Sequence, residues 1–244
     1  MEGETVNEKK STGDRGATAE RQVAGGVDDD AQLSLRERKK RLTRQRISGE
    51  ATLLFLERGF DNVAVAEVAR AAGVSTMTVF NYFPRKEDLF LDRIPEAVEL
   101  IVGAVRERGA NETPLAALRR LALDLLARRH PLGGPGEGFG HFFRTVLEAP
   151  SLRARAREAA EEIEAALAGA LAEAAGGDPA RPDRSARLAA AMIIAAWRAL
   201  YAELVDRQLE GDPVEEVAVE HEAVIRHTFD VLARALPDGG LGRT

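Results

Sequence analysis

The chain has 244 residues, 45% of them hydrophobic, and a formal net charge of −6, so it can bury a sizeable core in one or two domains. It contains no cysteine, which excludes disulfide frameworks, thiolate chemistry and zinc sites built on cysteine. The N-terminus lacks a signal-peptide pattern, and no uninterrupted apolar run approaches the roughly 20 residues that span a bilayer. We therefore expect a cytoplasmic protein that does not associate with a membrane.

The charge is unevenly distributed along the chain. Residues 1–32 carry a net charge of −4, whereas residues 33–90 carry +4. In the segment 36–46, RERKKRLTRQR, seven of eleven residues are Lys or Arg. Because salt screens charges beyond about 8–10 Å, this segment behaves locally as a basic element. It is compatible with a nucleic-acid partner, and equally with a solvated helix face.

Residues 1–32 are polar and aperiodic, which is typical of a disordered tail. The remainder predicts an all-α fold, because apolar residues recur at helical spacing and β-branched alternation is scarce. About nine helices are predicted, at residues 35–58, 65–72, 76–82, 86–108, 113–130, 139–148, 151–175, 182–209 and 213–236. We divide them into an N-terminal domain, residues 33–90, and a C-terminal domain, residues 91–238.

The ends of the first helices carry specific signals. Gly59 and Gly73 favour left-handed C-terminal stops, and Ser75 favours an N-cap. Thr113 precedes a proline, as at the start of many helices. The inward stripe of the first helix is predicted to consist of Leu42, Ile47, Ala51, Leu54 and Phe55.

Two short helices joined by a glycine turn, after a longer basic helix, are the parts of a helix-turn-helix unit. The outward residues of the helix 76–82 are short enough to enter a major groove about 12 Å wide. Those residues are Thr76, Met77, Thr78 and Asn81. Val79 and Phe83 are expected to pack inward, and Tyr82 and Lys86 to reach phosphates. The sequence does not decide whether Phe80 packs into the core or faces the groove. The alternative is a small helical subdomain without a ligand.

The segment 51–90 closely resembles the DNA-binding domain of the TetR family of bacterial repressors. The resemblance is carried by F-x-x-x-G-F from Phe55 to Phe60, V-A-E-V-A-x-A-A-G-V-S at 65–75, and T-V-F-N-Y-F-P-x-K-E-D-L at 78–89. It implies that residues 76–82 are the recognition helix and that Tyr82 and Lys86 contact phosphates.

Two positions depart from the family pattern. Ala64 stands where Thr or Ser is usual, which removes a cap and a phosphate contact, and Arg85 stands where Ser, Thr or Asn is common. An arginine there offers a charge-based phosphate contact instead. The full set of predicted DNA-binding residues is Arg44, Val65, Ser75, Thr76, Met77, Thr78, Asn81, Tyr82, Arg85 and Lys86.

The same resemblance implies a C-terminal helical domain that dimerises and holds an inducer pocket. The sequence favours the dimer independently, because the helices at 182–209 and 213–236 are amphipathic and can form half of a four-helix bundle. The small residues from Ala189 to Ala196 allow close helix approach. The alternative is that these helices form only intramolecular core.

An aromatic cluster suggests the pocket. An aromatic cavity with few polar groups suits a planar or acyl-chain ligand, and residues 143–155 weakly resemble the subfamily with acyl-CoA-like ligands. The predicted ligand-binding residues are Phe139, Phe142, Phe143, Trp197 and Tyr201. Each could instead belong to the core.

No catalytic motif appears, and the four histidines lack metal-ligand spacing, so we expect neither an enzyme nor a metal site nor a cofactor. The sequence predicts a homodimeric regulator that binds a near-palindromic operator in double-stranded DNA. The family resemblance makes it a repressor that a small hydrophobic or acyl-type effector releases. The alternatives are an activator of the same fold, or a helical protein-interaction module without DNA binding.

Overall fold

A computed structural model describes residues 34–136 and 138–236, and within them the all-α prediction is confirmed. The predicted tail, residues 1–32, lies outside the described residues, as does the end of the predicted C-terminal domain beyond residue 236. The described part contains ten helices: α1 (Leu35–Arg58), α2 (Val65–Ala71), α3 (Thr76–Tyr82), α4 (Glu87–Phe90), α5 (Ile94–Arg106), α6 (Pro114–Ala127), α7 (Phe139–Glu148), α8 (Pro150–Ala174), α9 (Arg184–Glu210) and α10 (Val214–Ala235).

The predicted single helix at 86–108 is wrong, because the structure breaks it into α4 and α5. The cause is Pro95, which lies in the first turn of α5. Proline has no N–H to donate to the preceding turn, and its ring clashes with the carbonyl four residues earlier in a continuous helix. The last bond of α4 runs from the Leu91 N–H to the Glu87 carbonyl, at 2.9 Å.

The described residues divide into two compact units, 34–44 and 45–236, and α1 contributes to both. In the first unit, a capping box starts α1. The Glu37 carboxylate accepts from the Ser34 N–H at 3.0 Å, and the Ser34 hydroxyl accepts from the Glu37 N–H at 3.3 Å. The predicted boundary between residues 90 and 91 stays a prediction.

The predicted inward stripe of α1 is wrong at its first member, because Leu42 is 57% exposed. Ile47, Ala51 and Phe55 are fully buried. Five residues separate Leu42 from Ile47, and five residues turn an α-helix about 140° beyond a full turn. Leu42 therefore lies on a different face from the stripe.

Within the second unit, the first four helices enclose an N-terminal core. This core is rich in phenylalanine, and the Phe55 ring lies 4.9 Å from the Phe60 ring and 5.9 Å from the Phe90 ring. The residues Val146 and Leu152, from α7 and α8, also belong to it. The buried members are Ile47, Ala51, Phe55, Phe60, Val63, Val68, Ala69, Ala72, Val79, Phe83, Leu89, Phe90, Val146, Ala149 and Leu152.

A separate C-terminal core lies among α5, α6, α8, α9 and α10 and consists mainly of alanine and leucine. Alanines on α9, such as Ala186, Ala189 and Ala190, are fully buried, which allows close helix packing. Among the described helices, α9 is long and apolar enough to cross a membrane by length and composition alone. In the structure its apolar residues contribute to this core.

Candidate functional site

The helix α2 begins without a capping side chain, because Ala64 occupies its N-cap position. Glu67 replaces part of the cap, since its carboxylate accepts from the Ala64 N–H at 2.9 Å and from Arg58 at 2.8 Å. The bond from the Ala64 N–H is the main cause of a lowered pKa at Glu67, and the Arg58 bond adds to it. The alanine thus removes only the hydroxyl half of a capping box.

The turn between α2 and α3 fixes where α3 begins. Gly73 has a φ of 63°, in the left-handed region that glycine adopts at little cost. Ser75 then caps α3, because its hydroxyl accepts from the Thr78 N–H at 3.0 Å. The Thr78 hydroxyl lies 2.8 Å from the same Ser75 oxygen, so the two predicted contact residues form one hydrogen-bonded pair.

The two faces of α3 divide as the sequence predicts. Val79 is fully buried and Phe83, at the C-cap, is 1% exposed; both belong to the N-terminal core. Thr76 and Asn81 are exposed, and Met77 is 70% exposed. The position that the sequence left open, Phe80, is 44% exposed and so lies on the outer side. A helix face of short polar and soft apolar side chains is therefore accessible for contact.

Lys86 is a predicted phosphate contact, but in the structure it is half-buried and its ammonium contacts the protein. Its Nζ donates to the Phe60 carbonyl at 2.6 Å and lies 4.3 Å from the centre of the Phe60 ring. Desolvation lowers the pKa of Lys86, and the neighbouring Asp61 and Glu87 oppose that shift. Lys86 thus holds the loop after α1 against the start of α4, and contact with a phosphate requires it to exchange partners.

The remaining predicted DNA contacts are spread over several elements. Arg85 is exposed and forms an ion pair with Glu158 on α8. Val65, at the start of α2, and Tyr82 are half-buried and pack against the N-terminal core. Arg44 lies on α1 in the first unit and is half-buried.

An apolar cavity of about 210 Å³ lies among α5, α6, α8 and α9. Its lining residues are Ala97, Leu100, Ile101, Leu121, Leu125, Leu132, Ala160, Ile163, Ile194, Trp197, Arg198 and Tyr201. A larger concavity, of about 500 Å³, lies between α6 and α10. The arginines on its wall are ion-paired, Arg119 with Asp230 and Arg226 with Glu222, so the apolar cavity is the better ligand candidate.

Of the five predicted ligand-binding residues, the structure places Trp197 and Tyr201 in the wall of the cavity. Burial raises the pKa of Tyr201 to about 12, so its hydroxyl stays neutral. That hydroxyl donates to the Leu132 carbonyl. Leu132 is itself a lining residue, so Tyr201 fixes one part of the wall to another.

The three phenylalanines do not line the cavity but connect it to the N-terminal core. Phe139 and Phe143 pack behind Tyr201, with the Phe143 ring 6.3 Å from the Tyr201 ring. Phe142 stacks on Phe90 of α4, with ring centres 4.5 Å apart, and lies 5.3 Å from Phe143. A continuous series of rings therefore runs from the N-terminal core to the cavity wall.

Ion pairs along α8 make a second connection between these regions. Arg155, 11% exposed, pairs with Asp88 of α4 at 2.7 Å and with Glu162 of α8 at 2.8 Å. Ala160 and Ile163 of the same helix line the cavity. A nearly buried arginine therefore connects α4 to the helix α8 that lines the cavity.

The helix α9 carries a row of apolar residues, most of them exposed, that do not line the cavity. They recur with alternating steps of four and three, the spacing of helices packed side by side. These residues are Leu188, Met192, Ala195, Ala199 and Ala202, of which Met192 is half-buried. On α10, Val219 is 74% exposed and Val231 is 44% exposed. The two predicted dimer helices thus carry accessible apolar surface.

Sequence reasoning missed most of the cavity wall. Leu121 and Leu125 are one helical turn apart, a signal that fits core as well as cavity, and Arg198 follows the predicted Trp197 directly. The choice between core and cavity depends on which helices meet, so no local pattern contained it. Within residues 34–136 and 138–236, no group of three or more His, Asp or Glu residues could hold a metal ion.

Comparisons with known proteins agree with this arrangement. Residues 49–92 match the sequence pattern described as "Bacterial regulatory proteins, tetR family". Over 147 residues, 59% of this chain, the sequence is 33% identical to the HTH-type transcriptional regulator TcmR of Streptomyces glaucescens. Over 99 residues, 39% of the chain, it is 28% identical to the fatty acid metabolism regulator protein of Bacillus subtilis. The matches span 65% and 51% of those two relatives, which is less than two thirds of either.

Among solved structures, the chain is similar to NalD, the secondary repressor of the MexAB-OprM multidrug efflux pump in Pseudomonas aeruginosa. The TM-score is 0.51 at 21% identity, and the match covers 78% of this chain and 96% of NalD. At that identity the likeness concerns the fold alone.

Proposed function

We propose that this chain, which belongs to the TetR family of bacterial regulatory proteins through its residues 49–92, is a transcriptional regulator that binds double-stranded DNA. The observation that carries the proposal is the capped helix α3, whose outer face presents Thr76, Met77 and Asn81. Ser75 fixes its start and Val79 fixes its rotation against the core. These side chains suit base edges and thymine methyl groups in a major groove.

The direct test is a gel shift with the DNA upstream of the gene that encodes this chain. Substituting Met77 by alanine should change the preference among operator sequences, because methionine suits contact with thymine methyl groups. Tyr82→Ala should weaken binding to all sequences alike. Leu53→Ala, an exposed position on α1, is the matched control. No binding to that fragment at low salt would end the proposal.

Lys86 needs a test of its own because its ammonium contacts the Phe60 carbonyl. If Lys86 also neutralises a phosphate in the complex, Lys86→Gln lowers the slope of log affinity against log salt by about 0.9. A purely structural lysine gives lower stability with an unchanged slope. Measuring the binding slope and the denaturation midpoint of one preparation separates the two roles.

The regulator would act as a homodimer through α9 and α10. Their exposed apolar residues support this, because a large accessible apolar surface marks an interaction site. The two copies of α3 would then reach successive major grooves of a near-palindrome about 34–36 Å apart, or a multiple of that distance. Ala199→Glu should give a monomer in light scattering, whereas Ala165→Glu, on the exposed face of α8, should leave the dimer intact.

An effector in the apolar cavity would release the DNA, which makes the chain a repressor. The apolar walls favour a small hydrophobic or acyl-type molecule. The similarity to a fatty acid metabolism regulator points in the same direction. The effector would act by its differential affinity for two arrangements of α4 and α8, coupled by the Phe142 stack and the Arg155 ion pairs.

Phe142→Leu tests this coupling. It removes the stacking on Phe90 but leaves the cavity wall and α3 intact. The variant should still bind DNA and effector separately, while the effector releases DNA less effectively. Unchanged release would show that the aromatic series carries no coupling.

Two other functions fit a chain of this fold. An activator would differ only in the transcriptional outcome, which a reporter assay measures with the gene deleted and restored. A helical protein-interaction module would use the basic segment 36–46 on a protein partner, and its binding would lack the steep salt dependence of phosphate neutralisation. Each of these functions, like the repressor, is consistent with a cytoplasmic location.

A further inference from the structure

Among the polar groups that line the apolar cavity, one has a hydrogen-bond partner in the protein and another does not. The Tyr201 hydroxyl in the cavity wall has a partner in the protein, because it donates to the Leu132 carbonyl. Nine further lining residues, among them Leu132, are all Ala, Leu or Ile. The remaining lining residues are Trp197 and Arg198, and Arg198 is the exposed member of the set.

Arg198 has no hydrogen bond or ion pair within residues 34–136 and 138–236. Several other arginines do have a carboxylate partner, for example Arg106 with Glu173 and Arg120 with Glu112. A guanidinium is always charged near neutral pH and offers several donors to an anion. An arginine at the rim of an apolar cavity is therefore available to a negatively charged ligand group.

The volume limits the apolar part of such a ligand. An apolar cavity of about 150 Å³ accommodates one benzene ring. A cavity of about 210 Å³ therefore holds one ring with a few more atoms, or an alkyl chain of similar volume. A coenzyme A head group is far larger than this space and would have to remain outside.

We propose that the cavity binds a small amphipathic carboxylate, with its apolar part against Trp197 and its carboxylate paired with Arg198. The inference rests on the proposed function in taking the cavity as the effector site, and it adds the charge and the size of the effector. The apolar walls provide binding through removal of surface from water, and Arg198 selects the acid over neutral analogues.

The chain provides its own probe of binding. Trp197 is the one tryptophan in the sequence, and it lines the cavity. A ligand in the cavity changes the surroundings of that indole, so intrinsic fluorescence reports occupancy without a DNA-binding assay.

The experiment titrates the purified protein with octanoate, octan-1-ol and octylamine, which share one chain and differ in charge. We expect octanoate to change the Trp197 fluorescence with an affinity about tenfold above that of the alcohol, from a charge-assisted hydrogen bond to Arg198. Arg198→Gln should remove that preference. Arg184→Gln, an exposed arginine at the start of the same helix, should retain it.

Each outcome decides the proposal. Equal affinities for octanoate and octan-1-ol overturn it, as does an Arg198→Gln variant that still prefers the acid. Binding of octanoyl-CoA without binding of octanoate also overturns it, in favour of a ligand with a larger head group. If Arg198→Gln alters the dimer in light scattering and not the acid preference, the arginine serves the subunit interface instead.

A separate gel shift on ligand-free Arg198→Gln distinguishes failure of this inference from failure of the proposed function. The variant should bind DNA as the unsubstituted chain does, because Arg198 lies on α9 and not on the α3 surface. Loss of octanoate discrimination with unchanged DNA binding supports the inference. Absence of DNA binding in every preparation contradicts the proposed function and leaves the cavity result to stand by itself.

Discussion

The N-terminal and C-terminal cores of this chain are built from different residues. Around α3, large phenylalanine rings contact one another, with centres 4.9 and 5.9 Å apart, and hold the helix at one rotation. Among the C-terminal helices, alanine and leucine predominate and leave a cavity of about 210 Å³. Interlocked rings have few alternative packings, whereas small side chains leave space that another molecule can fill. The first core suits a fixed recognition surface, and the second suits a binding site.

The largest expected effect comes from removing the ring at the centre of the N-terminal core. Phe55 is fully buried and contacts Phe60 and Phe90, so Phe55→Ala should lower the free energy of unfolding by about 3–5 kcal/mol. Denaturant unfolding followed by far-ultraviolet circular dichroism measures this. Phe80→Ala, at a residue 44% exposed on α3, should cost far less. Similar losses for both would refute the contrast between core and surface.

A glycine in the loop beside the cavity allows a test of how closely that loop packs against α6. A Cβ at Gly133 would overlap the backbone carbonyl of Leu125, whereas one at Gly136 has no atom within 4 Å. Gly133→Ala should therefore destabilise the chain by about 1–3 kcal/mol, as overpacking does, and displace the neighbouring Leu132. Gly136→Ala is the matched control. If the thermal unfolding curves of the two variants coincide, this loop packing is contradicted.

The cap of α3 should have an intermediate effect. Ser75→Ala removes the acceptor for the Thr78 N–H and the partner of the Thr78 hydroxyl, which should cost about 1 kcal/mol. Ser75→Asp should restore most of the stability because Asp also caps helices. The measurement is the denaturation midpoint together with operator affinity. If the aspartate variant is as unstable as the alanine variant, the hydrogen bond at the N-cap does not stabilise α3.

The smallest expected effect is the pH dependence from His221, which is 7% exposed on α10. Burial lowers its pKa below the unfolded value of about 6.5, so the folded state binds the proton less well. Its contribution to stability is therefore complete above that unfolded value and is lost as pH falls through it toward the folded pKa. His221→Phe should flatten unfolding free energy against pH in this window, whereas His227→Phe, at an exposed position, should not.

Local patterns predicted the boundaries of most helices because their causes are local. Ser75, Thr113 and Gly59 terminate or start helices through bonds within a few residues, and the structure has each of these as predicted. The break between α4 and α5 also has a local cause, since Pro95 is in the sequence. Leu42 lies on another face than Ile47 because a five-residue step rotates about 140° beyond a full helical turn.

Local sequence could not predict which aromatic residues line the cavity and which pack elsewhere. Phe142 and Trp197 look alike in the sequence as large apolar residues at helical spacing, yet one stacks on Phe90 and the other lines the cavity. The pairing of Arg155 with Asp88, 67 residues apart, and the contact of Lys86 with Phe60 depend equally on which helices meet.

The sequence by itself determined the all-α fold, the helix-turn-helix unit and the outward residues of α3, because caps, turns and helical periodicity depend on neighbouring residues. Only the tertiary structure decided which aromatic residues enclose a cavity, which cations are paired, and that Arg198 stands at the cavity rim without a partner among the described residues. Those properties arise where distant helices pack together, and packing depends on the shape of both surfaces.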